Sequence, residues 1–95
     1  MKRIKVNEYS KTMGTLYDLS SPQTFLLEHH PDAINFPYQK FMLYYDQYLK
    51  KDTPYFFICS QGLHSQRVVS MLEYFGYNVT QVVKWRLGLQ NLIFS

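Results

Sequence analysis

The hydrophobic positions of the chain form short apolar runs that alternate with longer segments of helical spacing. Five runs have the length and composition of strands, at residues 4–6, 15–19, 34–36, 55–58 and 79–83. The run Tyr55–Ile58 is apolar at every position, as in a strand buried on both faces of a parallel sheet. Strands that alternate with helices over short connections predict an α/β fold, with a mostly parallel sheet and helices on both faces.

Two long helices are predicted from apolar residues that recur every three or four positions. The first runs from Tyr38 to about Lys51, with its apolar stripe at positions 38, 41, 42, 45, 48 and 49. The second follows the run Tyr55–Ile58 and its loop, and carries its apolar face at positions 68, 69, 72 and 75. Gly76 can end the second helix, because glycine adopts the left-handed conformation of a helix cap without steric cost.

Three shorter helices are also predicted, at residues 7–13, from residue 22 onward and at residues 85–92. The N-cap of the middle helix is Ser20 or Ser21, and Pro22 takes its first position. Its Phe25 and Leu26 side chains are expected to pack into the core.

Composition limits the chain to one small globular domain over residues 1–95, with 46% apolar and 18% aromatic residues. The basic residues behind the net charge of +3 are scattered, which favours a solvated surface over a nucleic-acid site. The sequence contains neither an apolar stretch that would span a membrane nor the apolar segment of a signal peptide near its start. We therefore expect a cytoplasmic protein, monomeric or weakly dimeric, that binds neither nucleic acid nor membranes.

Cys59 is the candidate functional residue. It is the only cysteine, so an internal disulfide is impossible, and it stands where the run Tyr55–Ile58 meets the loop Ser60–Ser65. A lone cysteine is most often a small buried hydrophobic residue. Ligands of parallel α/β sheets, however, bind beyond the carboxyl ends of the strands, and the amides of a helix N-terminus favour anions. The sequence predicts a nucleophilic thiolate there, with Gly62 letting the loop turn its amides inward.

The segment Cys59–Ser65 resembles the active loop of rhodanese-like sulfurtransferases, C-x-x-G-x-R-S, and matches it at the cysteine, the glycine and the serine. Three further segments resemble that family's L-[IL]-D-V strand, P-x-E-[FY] helix start and H-I-P-G-A-x-N-[IF]-P segment, at Leu16–Leu19, Pro22–Phe25 and His29–Pro37. The last is kept best in its A-x-N-[IF]-P part, at Ala33–Pro37. The resemblance covers about residues 4–83 in the family's order. It implies the rhodanese-like fold, with a five-stranded, mostly parallel sheet.

The resemblance implies that sulfur is transferred through a persulfide on Cys59, without a metal or an organic cofactor. Sulfur would pass from a thiosulfate- or polysulfide-like donor to a thiol, cyanide or protein acceptor. The implied substrate-binding residues are those of the loop: Ser60, Gln61, Gly62, Leu63, His64 and Ser65. Asp18 is either a solvent or turn residue or, as the resemblance implies, a residue at the active edge of the sheet that bonds loop amides. His29 is expected to be a hydrogen-bonding loop residue. Arg67 is a candidate supporting cation, although a solvent-facing helix position is its more common alternative.

The chain departs from the family pattern at three places. The loop arginine is His64, the arginine that commonly follows D-V is Ser20, and the E-G-G-x-x-x-W segment is missing at residues 83–88. A histidine holds an anion less firmly than arginine at neutral pH, so we expect poor use of thiosulfate. These departures leave open a rhodanese-like module without turnover, which binds a partner protein or senses reactive sulfur or oxidants.

Other chemistries fit the sequence less well. Cysteine phosphatases need C-x-x-x-x-x-R, and the sixth residue after Cys59 is Ser65. Thioredoxin-type exchange needs a C-x-x-C pair, which one cysteine cannot supply. The neighbours His29 and His30 have no cysteine or carboxylate at ligand spacing, so a zinc site is not expected.

Overall fold

A five-stranded parallel sheet forms the centre of residues 1–84, the part of the chain that the computed structural model describes. The strands are β1 (Arg3–Lys5), β2 (Thr15–Asp18), β3 (Ala33–Asn35), β4 (Tyr55–Ile58) and β5 (Val79–Val83). Their order across the sheet is β1-β5-β4-β2-β3, and every pair is parallel. The predicted α/β fold with a parallel sheet is confirmed, and β1 lies at one edge of the sheet.

Strand β4 is the middle of the sheet, and its side chains supply both halves of the core. All four of its residues are buried. Tyr55 and Phe57 belong to one hydrophobic cluster, whereas Phe56 and Ile58 belong to another, because successive side chains of a strand point to opposite faces. Each buried aromatic side chain contributes roughly 1.5–3 kcal/mol of transfer free energy. The continuous apolar run therefore fixes β4 at the centre and places Cys59 at its end.

Within residues 1–84, three α-helices accompany the sheet: α1 (Pro22–Leu27), α2 (Tyr38–Tyr48) and α3 (Leu63–Tyr74). Ser21 caps α1, since its hydroxyl accepts a hydrogen bond from the Thr24 N–H at 3.2 Å. The left-handed conformation of Gly76, with φ of +94°, follows α3 as predicted. None of the helices within residues 1–84 combines the length and the apolar content needed to cross a bilayer.

The helix predicted at residues 7–13 is wrong. Two short 3₁₀ helices, Val6–Glu8 and Lys11–Met13, stand in its place. Tyr9 lies between them, packs its ring edge-on against Phe56 and donates its hydroxyl to the Gly14 carbonyl at 2.6 Å. Anchoring this one large side chain in the core overrides the weak helical propensity of the segment.

Several apolar side chains of the predicted helix faces lie partly or largely in solvent, among them Tyr48 of α2, which is 56% exposed. Leu26 is 79% exposed and Phe25 is only half-buried, because α1 is six residues long and covers little of the sheet. Phe75 is 45% exposed, since α3 ends at Tyr74, before the predicted apolar face is complete. The helix predicted at residues 85–92 lies outside the described residues.

Candidate active site

Cys59 lies at the carboxyl edge of the sheet, directly after β4. Its side chain is 6% exposed and borders an open cleft of about 520 Å³. The other walls of the cleft come from the loop that follows Cys59 and from the first turns of α1 and α2. A cleft of this size, at this edge of an α/β sheet, is where small organic ligands bind.

Two main-chain N–H groups point at the Cys59 sulfur. The amides of Gly62 and Ser65 donate to Sγ at 3.1 and 3.3 Å, and the Ser65 hydroxyl oxygen lies 3.5 Å from Sγ. Gly62 is the N-cap of α3 with φ of +83°, a conformation that side-chain-bearing residues adopt only with strain. A Cβ at this position would have room, its nearest neighbour being Gln81 Nε2 at 3.9 Å. The backbone conformation, rather than lack of space, therefore requires glycine here.

In the rest of the loop Ser60–Ser65, one main-chain amide is bonded to a neighbouring loop and two side chains are exposed to solvent. The Ser60 N–H donates to the Ser20 hydroxyl at 3.1 Å, so it is directed away from the sulfur, contrary to the expectation for all the loop amides. Gln61 and Leu63 expose their side chains, Leu63 by 54%, at the border of the cleft. The contacts to the sulfur itself thus come from the second half of the loop.

His64, which stands where the sequence motif has arginine, forms part of the cleft wall. Its ring stacks on the Tyr38 ring with a centroid distance of 3.9 Å and an interplanar angle of 7°. Both residues border the cleft, and the described residues that line it include no Lys, Arg, Asp or Glu. This cleft therefore offers an anion main-chain amides and a histidine, while Lys84 lines a second, smaller cavity that Cys59 also borders.

Comparison with protein families identifies the family of this chain. The rhodanese-like domain matches residues 4–89 of the chain. This chain belongs to the rhodanese-like domain family. The fold class and the resemblance predicted from the sequence are thereby confirmed, whereas comparison with curated proteins gave no match.

Several solved structures are similar to this rhodanese-like domain. A protein of Staphylococcus saprophyticus subsp. saprophyticus has 25% sequence identity and a TM-score of 0.75, with 87% of each chain covered. A rhodanese-related protein of Thermoplasma volcanium has 23% identity and a TM-score of 0.75, with 87% of this chain and 84% of that chain covered. The human single-domain sulfurtransferase has 16% identity and a TM-score of 0.68, with 95% and 96% covered.

Asp18 supports the active loop of this rhodanese-like domain through a second residue. Its carboxylate is buried and accepts a hydrogen bond from the Ser20 N–H at 2.8 Å, and the Ser20 hydroxyl in turn accepts from Ser60. The expected direct bond from Asp18 to the loop amides is therefore wrong. Asn35 completes this support, because its Nδ2 donates to the carbonyls of Asp18 and Ser20 at 3.0 and 2.9 Å. Asn35 is the asparagine of the A-x-N-[IF]-P segment, and this position is the feature of the sequence from which its supporting role could have been predicted.

Two predicted supporting residues do not border the cleft. His29 stacks on Phe25 at 3.7 Å, and its Nδ1 lies 2.6 Å from the Phe25 carbonyl oxygen. Arg67 is exposed on α3 and does not substitute for a loop arginine in the cleft wall. Both side chains are exposed on the surface of the domain, and neither lines the cleft beside Cys59. The expectation that His29 is a hydrogen-bonding residue is confirmed by its contact with the Phe25 carbonyl.

Gln81 in β5 is the buried polar residue that sequence reasoning missed. Its Nε2 donates to the Gly62 carbonyl and to the Ser65 hydroxyl, both at 3.0 Å, and its Oε1 accepts from Arg3 Nε at 2.9 Å. The signal was a long amide side chain among the β-branched residues of Val79–Val83. A buried amide costs free energy unless it is hydrogen-bonded, so a Gln in a central strand indicates a specific partner.

The arrangement can hold an anionic sulfur and bring it to a ligand. The sulfur is nucleophilic as the thiolate, which the two N–H donors and the N-terminus of α3 favour. Within residues 1–84, no three His, Cys, Asp or Glu side chains gather into a group that would bind a metal ion. The chemistry available to the described residues is that of a thiol in an amide-lined loop.

Proposed function

We propose that this protein is a sulfurtransferase that carries sulfane sulfur as a persulfide on Cys59. The observation that carries the proposal is the pair of N–H groups, from Gly62 and Ser65, that donate to Sγ at 3.1 and 3.3 Å. Hydrogen bonds to an ionised group favour its charged form, so this geometry favours the attacking thiolate. Membership of the rhodanese-like domain family and likeness to a human sulfurtransferase support the same reaction class.

In the first step, the Cys59 thiolate attacks the outer sulfur of the donor. A sulfur–sulfur bond forms to Cys59 while the donor's own sulfur–sulfur bond breaks. The electron pair of the broken bond leaves with sulfite when thiosulfate is the donor, or with a shortened polysulfide. Cys59 then carries a persulfide whose outer sulfur is anionic, and the step balances without an oxidant or a metal.

The anionic outer sulfur needs hydrogen-bond donors within the cleft. The first N–H groups of a helix have no partner within the helix, and in α3 these belong to Leu63 and His64 as well as to Gly62 and Ser65. The positive end of the helix dipole lies at the same place. We infer that amides of this turn stabilise the outer sulfur in the way that an oxyanion hole stabilises oxygen.

In the second step, an acceptor nucleophile takes the outer sulfur. A thiolate or cyanide attacks it, the bond to Cys59 breaks, and the electron pair returns to the Cys59 sulfur as the thiolate. The route is a two-step covalent one with ping-pong kinetics. A cleft of about 520 Å³ leaves room for a small thiol or for an extended side chain of a protein acceptor.

The lining of the cleft favours a donor of low charge density. Thiosulfate is a compact dianion, and a bidentate guanidinium is the side chain that holds such a group best. The described lining has no arginine or lysine, and the His64 ring is stacked on Tyr38. We therefore expect a polysulfide-like donor to be used more efficiently than thiosulfate.

A rhodanese-like module without turnover is the second candidate function. The observations that favour it are the 6% exposure of Cys59 and the absence of a loop arginine. Such a module would bind a partner protein or sense reactive sulfur, and it would not pass sulfur on to cyanide. Release of sulfur to an acceptor such as cyanide therefore distinguishes a sulfurtransferase from a module without turnover.

Intact-mass measurement tests the proposal directly. The protein is incubated with polysulfide or thiosulfate, and one added sulfur atom is expected on the wild type but not on Cys59→Ser. Addition of cyanide should then remove the sulfur as thiocyanate. Absence of sulfur uptake by the wild type, or equal uptake by Cys59→Ser, would rule the sulfurtransferase out. Uptake without release to cyanide or thiols would favour a sulfur-sensing module.

A further inference from the structure

Gln81 makes two hydrogen bonds to the active loop from beneath it, and its orientation is fixed from the other side. Arg3 Nε, which can only donate, lies 2.9 Å from the Gln81 side-chain oxygen. The amide nitrogen must therefore face the loop, where it donates to the Gly62 carbonyl and the Ser65 hydroxyl. Gln81 is 3% exposed, and within residues 1–84 every buried side-chain nitrogen and oxygen has a hydrogen-bond partner.

Three hydrogen-bond donors surround the Gly62 carbonyl oxygen, one more than its two lone pairs can accept. The Gln66 N–H lies 3.1 Å away, Gln81 Nε2 3.0 Å and the Ser65 hydroxyl 3.1 Å. A carbonyl oxygen has two lone pairs. Once Gln66 and Gln81 occupy them, the Ser65 proton is the surplus donor at this carbonyl.

Among the described residues, the Cys59 sulfur is the other acceptor within reach of the Ser65 proton. Ser65 Oγ lies 3.5 Å from Cys59 Sγ, a hydrogen-bond distance for sulfur. When Cys59 is a neutral thiol, its own S–H can donate to Ser65. When Cys59 is a thiolate it can only accept, so the Ser65 hydroxyl gains by turning its proton to the sulfur. While the Ser65 hydroxyl rotates towards the sulfur, the Gly62 carbonyl keeps its hydrogen bond from Gln81.

We propose that Gln81 is a positioning residue that frees the Ser65 hydroxyl to become a third hydrogen-bond donor to the Cys59 thiolate. The inference deepens the proposed sulfurtransferase function and rests on it for its biological purpose. Without Gln81, the Gly62 carbonyl has lost one of its donors and holds the Ser65 proton, because turning that proton to the sulfur would leave the carbonyl with the Gln66 N–H alone. The thiolate then keeps only its two main-chain donors.

The test measures the thiolate without any sulfur transfer. Cys59 is the only cysteine, so alkylation by the neutral reagent iodoacetamide reports this site alone, and its rate follows the thiolate. The pH at half-maximal alkylation rate should rise by about one unit in Gln81→Met, as expected when one hydrogen bond to a charged group is lost. It should rise by at least as much in Ser65→Ala. Gln47→Met changes an exposed glutamine of α2 and should leave the midpoint unchanged.

The double variant separates positioning from a general loss of structure. If Gln81 acts through Ser65, adding Gln81→Met to Ser65→Ala should move the midpoint no further. An equal shift in both backgrounds would overturn the inference, as would an unchanged midpoint in folded Gln81→Met. Because sulfur uptake is not measured, a chain that fails as a sulfurtransferase can still give the expected shifts, and the two failures remain distinguishable.

A measurement on the wild type covers the case in which Gln81→Met does not fold. Both side-chain amide protons of Gln81 are engaged, so their exchange with solvent, followed by NMR, should be at least about tenfold slower than that of the exposed Gln47 side chain. Exchange at equal rates would mean that Gln81 does not hold the loop in solution, and the inference would fall.

Discussion

Replacing Ser20 by alanine should loosen the active loop while leaving the fold intact. The Ser20 hydroxyl accepts the Ser60 N–H at 3.1 Å, and Ser20 is 7% exposed. Loss of the bond leaves a half-buried N–H unpaired, at a cost of about 1–2 kcal/mol. A domain of this size has roughly 5–14 kcal/mol of stability, so the variant should remain folded.

The neighbouring serine is the matched control. Ser21 also borders the cleft, but its hydroxyl accepts the Thr24 N–H at 3.2 Å and caps α1 instead of the active loop. Ser21→Ala should cost about 1 kcal/mol, as the loss of a helix cap does. The two variants are thus close in stability and differ in whether the lost hydrogen bond reaches the loop that holds Cys59.

Two assays distinguish these effects. Urea unfolding should place both midpoints about 0.5–1.5 M below the wild type. Alkylation of Cys59, and its sulfur uptake from polysulfide, should slow by about 5- to 30-fold in Ser20→Ala, because 1–2 kcal/mol changes an equilibrium by roughly that factor. Ser21→Ala should stay near the wild-type rate. Equal rates in the two variants would refute the assignment of Ser20 as a tether of the loop.

The remaining predictions concern the donor, alkaline pH and two glycines. His64→Arg should raise kcat/KM for thiosulfate about tenfold or more, because a guanidinium adds charge-assisted hydrogen bonds. His29→Arg, which lies outside the cleft, should leave kcat/KM unchanged. An unchanged value for His64→Arg would mean that residue 64 does not hold the donor. Burial, helped by neighbouring tyrosines, raises the pKa of Tyr17, so its contribution to stability is complete below about pH 10 and is lost as pH rises through the folded-state value. Tyr17→Phe should therefore flatten the fall of unfolding free energy above pH 10, and an unaltered slope would contradict this. Gly14→Ala would place a Cβ 2.5 Å from the Pro54 main-chain oxygen, whereas the nearest atom to a Cβ at Gly76 is 4.0 Å away. Gly14→Ala should therefore destabilise the fold by at least about 1 kcal/mol more than Gly76→Ala. Denaturant unfolding that ranks the two variants the other way would contradict the argument.

The sequence predicts the sheet and the position of Cys59 because these depend on local patterns. Four apolar residues in a row, Tyr55–Ile58, specify a strand buried on both faces wherever it lies in the sheet. A glycine three residues after the cysteine specifies the turn into α3, and its φ of +83° follows from that role. Neither inference requires knowledge of which strands are neighbours.

The supports of the loop depend on strand order, which hydrophobic periodicity does not encode. Ser20 and Ser60 are 40 positions apart, and Gln81 is 19 positions from Gly62. Each pair meets because β2 and β5 flank β4 in the sheet. The failed helix at residues 7–13 has a related cause, since the long-range packing of Tyr9 on Phe56 outweighs local propensity.

Ser20 and Gln81 together position the loop that is proposed to hold an anionic sulfur. From β2, Ser20 holds the first residue of the loop, and from β5, Gln81 holds its glycine and its last serine. Parallel strands end at the same edge, so both neighbours of β4 can reach the loop from opposite sides. Main-chain amides stabilise charge well only when they are held in place before the charge forms, because they cannot adjust as a long arginine side chain can. A loop that has His64 in place of arginine therefore depends more heavily on buried polar residues in the neighbouring strands.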